Sequence, residues 1–358
     1  MESVDEKNEI ESSNAQCPNC GSGLFYDPKT KGLKCKSCSS VADFTKSKEN
    51  LKNPFVEGSN VENNEWAKES RVFHCDTCGA EVVVTGFDVT TNCPYCGSTY
   101  VSQTDQLPGL KPDRVVPFAF DEKDAVTMFA KGVKKKFFVP RVFKKCIPEN
   151  KVRGLFVPTF TFDADTDSQY RGTLEKVTTT TDSKGNTHRK VRQFNIAGNV
   201  SLNFRELVVE SSSKFDQKQM NSLLPYYMDE AYHFDSNFLR GYMVEHYQAS
   251  LNDCYLDAKS KMDNDIRQRI LSKYDYTSVI RLSVDTMYLN RLYSYSLFPV
   301  YSFEYQYKKK KYITIMNGQT GRIGKGLPIS PLKVTITVLG VLIIIAAFIM
   351  LFVLLSES

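Results

Sequence analysis

The chain has 358 residues, 41% of them hydrophobic and 24% charged, with a formal net charge of +5. That length holds two or three folded units with at least one real core, and that balance excludes a disordered or fibrous chain. The charge is uneven, with 10 Lys/Arg against 16 Asp/Glu in residues 1–110, which disfavours an N-terminal part held to nucleic acid by phosphate neutralisation.

Residues 1–13 are polar and acidic and read as disordered, with no export signal. The ten cysteines are therefore expected in a reducing compartment, where Cys-x-x-Cys pairs hold metal rather than disulfides. Residues 14–45 carry Cys17, Cys20, Cys35 and Cys38, spaced C-x2-C-x14-C-x2-C around a short hairpin, "GLFYDPKTKGLK". Residues 46–70 read as a linker that contains the only tryptophan, Trp66, expected to pack on the unit that follows. Residues 71–104 repeat the first unit 58 positions later with Cys75, Cys78, Cys93 and Cys96. This is the four-cysteine zinc-ribbon pattern, favoured over iron–sulfur ligation or redox pairs. Gly21, Gly79 and Gly97 suit the turn after each knuckle. A unit of about 30 residues cannot bury enough surface to fold alone, and zinc supplies on the order of 10 kcal/mol in comparable peptides. Two structural zinc ions are expected, since four thiolates leave no open position for substrate.

Residues 105–331 are expected to form an α+β domain with an antiparallel sheet. A helix starts at Asp121, presents Ala125, Val126, Phe129 and Val133, and stops before Pro140; Lys134 to Lys136 read as its solvated end. β-structure follows from Lys151 to Val209, turning at "DSKGN". The acidic run Asp163 to Asp167 lacks the Gly and Glu of a calcium loop. Helix is expected over much of 242–274 and strands from 295 onward, with turns at Lys308 to Lys311 and at Asn317-Gly318. "GRIGKG" lacks the spacing of a phosphate loop.

Residues 334–355 run without a charge, and 22 residues of helix cover roughly 33 Å, enough to cross a bilayer. A transmembrane helix is expected over 332–355, with 356–358 a short C-terminal tail. Arg322, Lys325 and Lys333 precede it, so the positive-inside bias places the large N-terminal part in the cytoplasm of a single-pass protein of the cell membrane.

His74, His188, His233 and His246 belong to no nucleophile or metal motif; His233 and His246 fall in helix-like segments. The acidic neighbours of His233, Asp229, Glu230 and Asp235, read as ordinary surface. Cys146 and Cys254 are left over and read as buried hydrophobes. No catalytic residue, cofactor pocket or small-molecule substrate is expected, and no enzyme signature is found.

"CPNCG", "CDTCGAE", "CPYCGS", "VVPFAFDEKDA", "RGLFVPTFTFDAD", "NGQTGRIGKGLP" and the terminal span together resemble a bacterial family of tail-anchored membrane proteins with TFIIB-type zinc ribbons. Its members are often labelled by the likeness of their knuckles to the primosomal helicase. The resemblance implies zinc at the eight matched cysteines, and partners of flotillin-like or phage-shock type in envelope stress. The chain thus reads as α+β, with two small four-cysteine zinc ribbons, a mixed α+β domain and one transmembrane helix. Its expected role is a non-enzymatic adaptor recruiting proteins to the inner membrane face; the alternative is a membrane-tethered nucleic-acid binder.

Overall fold

The computed structural model describes residues 16–44, 46–48, 52–58, 70–85, 93, 101–103, 109–145, 152–181, 185, 187–212, 214–215, 217–307 and 310–356. The expected disordered N-terminus (1–13), Trp66, Gly97 and most of the "DSKGN" turn lie outside them.

The first cysteine unit is a three-stranded sheet of β1 (Leu24–Asp27), β2 (Gly32–Cys35) and β3 (Val41–Ala42), all antiparallel. Downstream, β4 (Asn53–Pro54), β5 (Ser70–Cys75), β6 (Glu81–Thr85), β7 (Val101–Gln103) and β8 (Arg114–Val115) all belong to one 11-stranded sheet. Its axis is a pair of 30-residue antiparallel strands, β9 (Val152–Thr181) and β13 (Ser278–Tyr307). Along one edge of β9 run β10 (Thr187–Glu210) and, nearer its start, β12 (Met243–Glu245), which links β9 to β6, β5 and β7. Along the far edge of β13 run β14 (Lys310–Asn317), β8 and β4, and β11 (Tyr232–His233) extends from β8.

The sequence of β9 explains its two environments. From Gly154 to Ala164 every residue is buried on both faces; beyond Asp165 burial alternates through Thr166, Ser168, Tyr170, Gly172 and Leu174. A continuous apolar run suits a strand covered on both sides, and alternation suits one covered on a single side. The proximal cover includes α1 (Glu122–Lys135), which buries Ala125, Phe129 and Val133 and stacks Phe129 on Phe303 at 3.9 Å between centroids. Asp121 caps it as expected, accepting from Asp124 N at 2.8 Å. A short α2 (Arg141–Lys145) follows Pro140, and α3 (Gln217–Asn221) lies beyond β10.

The distal half is covered by α4 (Leu251–Leu271), whose Ile266 and Ile270 meet Tyr170, Leu174, Ile196 and Val200. This helix fills much of the expected 242–274 but not its first nine residues. Gly241 at φ +86° breaks the chain direction, Met243–Glu245 joins the sheet as β12, and Ser250 with Asp253 forms the capping box that starts the helix. His233 accordingly lies in β11 and His246 just past β12, neither in a helix. Strand structure also begins earlier than residue 295, at Ser278, where the chain already pairs with Glu175 of β9.

Two bulges bend this sheet at one level. β10 bulges between Phe204 and Leu207, and β13 between Leu289 and Leu292, both opposite the Asp163 to Asp165 stretch of β9. Each carries a residue at positive φ, Glu206 (+50°) and Asn290 (+48°). The acidic run serves the bulges: Asp163 accepts from Glu206 N at 2.9 Å, and Asp165 accepts from Asn290 Nδ2 at 2.9 Å and Arg205 at 2.6 Å.

Residues 52–58 of the expected linker are laid on this body. Phe55 stacks on Tyr255 at 4.1 Å, and Asn53 donates to the half-buried Asp113, whose carboxyl is raised by desolvation. The last helix, α5 (Pro331–Ser356), leaves the body, and the apolar side chains of its described part stand exposed.

Candidate metal centres

Each knuckle is built by the same backbone bonds, offset by 58 residues. Gly21 N donates to Cys17 O at 2.8 Å and Gly79 N to Cys75 O at 2.7 Å; Cys17 N donates to Ser22 O and Cys75 N to Ala80 O, both at 2.8 Å. Gly21 and Gly79 sit at φ +71° and +65°, the left-handed region where a side chain is strained. The offset extends to pairing, since the isolated bridge of Gln16 with Gly23 corresponds to His74 with Glu81 between β5 and β6.

The first cluster brings together Cys17, Cys20, Cys35 and Cys38, every sulfur within 4.8 Å of the others. Sulfur–sulfur separations are 3.6 Å for Cys17 and Cys38, 3.4 Å for Cys20 and Cys35, and 3.6 Å for Cys20 and Cys38. A tetrahedron of metal–sulfur bonds near 2.3 Å has edges of about 3.8 Å, whereas a disulfide needs about 2.05 Å. The cage fits a tetrahedral ion and no disulfide. Ser37 N points at Cys35 Sγ at 3.4 Å. The Ser40 hydroxyl, 3.2 Å from Cys17 Sγ and 3.0 Å from Cys38 Sγ, holds both thiols below their usual range, Cys17 down to about 6. Both effects favour the thiolate, the form that binds metal.

The second cluster brings together Cys75, Cys78 and Cys93, with Cys78 and Cys93 sulfurs 3.6 Å apart. Its expected fourth member, Cys96, lies outside the described residues. Two cations of the body approach this cluster. Lys214 Nζ donates to Cys78 O at 2.7 Å, and Arg153 donates to Cys93 O. A four-thiolate site around a divalent ion carries a charge of about −2, so these side chains offset it. Nothing local in the sequence marks them, since each lies far from the knuckles.

The two units dock differently. The first rests Tyr26 and Phe44 against Phe238, with centroids 5.3 and 4.9 Å away, and pairs Lys29 with Asp121 at 2.7 Å and with Asp124 at 3.1 Å. The second is woven into the main sheet, because Val83 pairs with Val244 and Val82 with Glu245. Of the two other thiols, Cys146 lies outside the described residues, and burial pushes Cys254 up to about 12, so it is protonated at neutral pH.

Among the described residues, fold and site together define an α+β chain with cysteine clusters of four and three fit to hold metal ions and one helix long and apolar enough to cross a bilayer. It is similar to "Uncharacterized protein YdjG" of Bacillus subtilis (strain 168), 29% identical over 324 residues that cover 89% of this chain and 91% of that one. No family model matches the chain. No solved structure matches it.

Proposed function

We propose that the chain is a non-enzymatic adaptor, held at the inner face of the cell membrane by α5, whose two zinc-stabilised units and α+β body dock cytosolic proteins. The observation that carries this reading is the closure of the first cage. Four sulfurs at tetrahedral spacing use every coordination position of a zinc ion. The ion's contribution there is to hold the fold, leaving the surface of the unit as what a partner meets. Zinc suits an all-thiolate set of this geometry. Cys96 is the fourth ligand assigned to the second site. The run of Arg322, Lys325 and Lys333 before the span supports a cytoplasmic body. The sequence resemblance adds the class of partner, flotillin-like or phage-shock-type proteins of an envelope stress response.

The test is chemical crosslinking in the native membrane, followed by identification of what is joined to the chain. Specific cytosolic or inner-face proteins are expected, and they should be lost when Cys17 and Cys20 are both replaced by serine while membrane insertion persists. A chain that crosslinks to nothing, at rest and under envelope stress, would falsify the adaptor reading.

A further inference from the structure

We propose that a basic cavity at the junction of body and span binds the phosphate of an anionic lipid headgroup. The cavity, about 430 Å³, is lined by Lys134 and Lys135 from the end of α1, Arg141 and Lys144 from α2, and Lys333 from the first turn of α5. Phe137 and Ile336 complete it, and among the described residues no acidic side chain lines it. Five cations gathered without a carboxylate repel one another, and a bound anion is what relieves that repulsion.

The backbone fixes where the cavity sits. Lys333 Nζ donates to Phe137 O at 2.7 Å and Val139 O at 2.9 Å, Ser330 N donates to Phe138 O at 2.9 Å, and Lys144 Nζ donates to Lys134 O at 2.6 Å. The connection from α1 to α2 is thereby stitched to the start of the span, at the depth of the headgroups. Around the cations stand exposed apolar groups, Phe137 (65%), Phe138 (42%) and Val142 (64%). Aromatic side chains beside Lys and Arg at a helix end are the pattern of a membrane interface. A soluble phosphate would use the cations alone; a lipid uses the cations and the apolar rim together. The inference rests on α5 lying in a bilayer and is independent of the adaptor role.

The full chain is reconstituted into nanodiscs of equal parts phosphatidylcholine and phosphatidylglycerol, and the lipids retained by the protein after transfer to detergent are counted by native mass spectrometry. Each Lys or Arg near an anionic surface is worth roughly a factor of five. Wild type should retain phosphatidylglycerol over phosphatidylcholine by at least about that factor. The Lys134→Gln, Lys135→Gln, Arg141→Gln triple variant should retain the two lipids alike. These side chains are exposed, and an Arg141→Glu single variant gives the same reading should the triple variant fold poorly. Undiminished phosphatidylglycerol retention in the variants overturns the proposal. So does saturable binding of inorganic phosphate, in discs of phosphatidylcholine alone, that the triple variant loses, since the site would then serve a soluble anion. Incorporation into the discs is scored separately: a helix that does not insert overturns the membrane placement itself.

Discussion

Arg114 is 2% exposed and donates to both carboxylate oxygens of Glu206, at 3.1 and 2.9 Å, while Lys52 reaches Glu206 at 2.8 Å and Asp163 at 2.6 Å. This network ties the segment between the cysteine units to the bulge in β10. Removing Arg114 takes from the half-buried Glu206 one of its two cations and leaves Lys52, and losing a partner costs more than the pair's net worth. Arg114→Met is therefore expected to lower stability by about 3–5 kcal/mol, and the double Arg114→Met, Glu206→Leu variant to recover much of that. Denaturant unfolding of the detergent-solubilised chain measures both. Burial alone would raise the Glu206 carboxyl, but Arg114 and Lys52 outweigh it and hold it down to about 2 from an ordinary 4.5. A depressed folded-state value stabilises at pH above the unfolded one. The contribution is thus complete above about pH 4.5 and lost as pH falls toward 2. Glu206→Gln should flatten that part of the acid-unfolding profile, and an unchanged profile would remove Glu206 from the account.

At the scale of elements, Asp121 does two things, capping α1 and pairing with Lys29 of the first cysteine unit. The cap is worth about 1 kcal/mol, whereas an exposed ion pair contributes little. Asp121→Ala should therefore lower the unfolding free energy by about that amount, and Lys29→Ala should leave the melting curve where it is. Equal losses in the two variants would shift the weight from cap to docking. The start of α1 was legible because its signal is local, an aspartate followed by apolar residues at helical spacing. The knuckles were legible for the same reason, their spacing being the geometry. The reach of β13 back to Ser278 and the strand at Met243–Glu245 were not. Pairing with β9 decides both, and a three-residue strand inside "GYMVEHY" has no signature until its partners are known. Lys214 and Arg153 were hidden likewise, as their role exists only once the second cysteine unit is folded against the body.

For the molecule as a whole, the two cysteine units should respond differently to loss of metal. On the proposed occupancy of one zinc ion per cluster, replacing either Cys17 or Cys75 with serine is expected to remove one of the two ions, read by elemental analysis. Cys17→Ser should loosen a unit that packs on the body but contributes no strand to the main sheet. Cys75→Ser should lower the melting temperature of the entire fold, because β6 is a strand of the main sheet and β12 and β9 depend on it. Hydrogen exchange resolves the two: protection at 152–158 should fall in the second variant and hold in the first.

Little slack separates the body from its last helix. Gly324 N bonds to Ile315 O, the Tyr305 hydroxyl to Gly326 O, and Ser330 N to Phe138 O, so the strap from β14 to α5 is pinned along its length. Were that helix embedded in a bilayer, as proposed, the body would be held close to the lipid with little freedom to swing on a tether. Encounters with membrane-bound partners would then take place in a plane, at constant standoff and in constant attitude. Lateral diffusion, rather than tumbling in the cytosol, would set how often they meet.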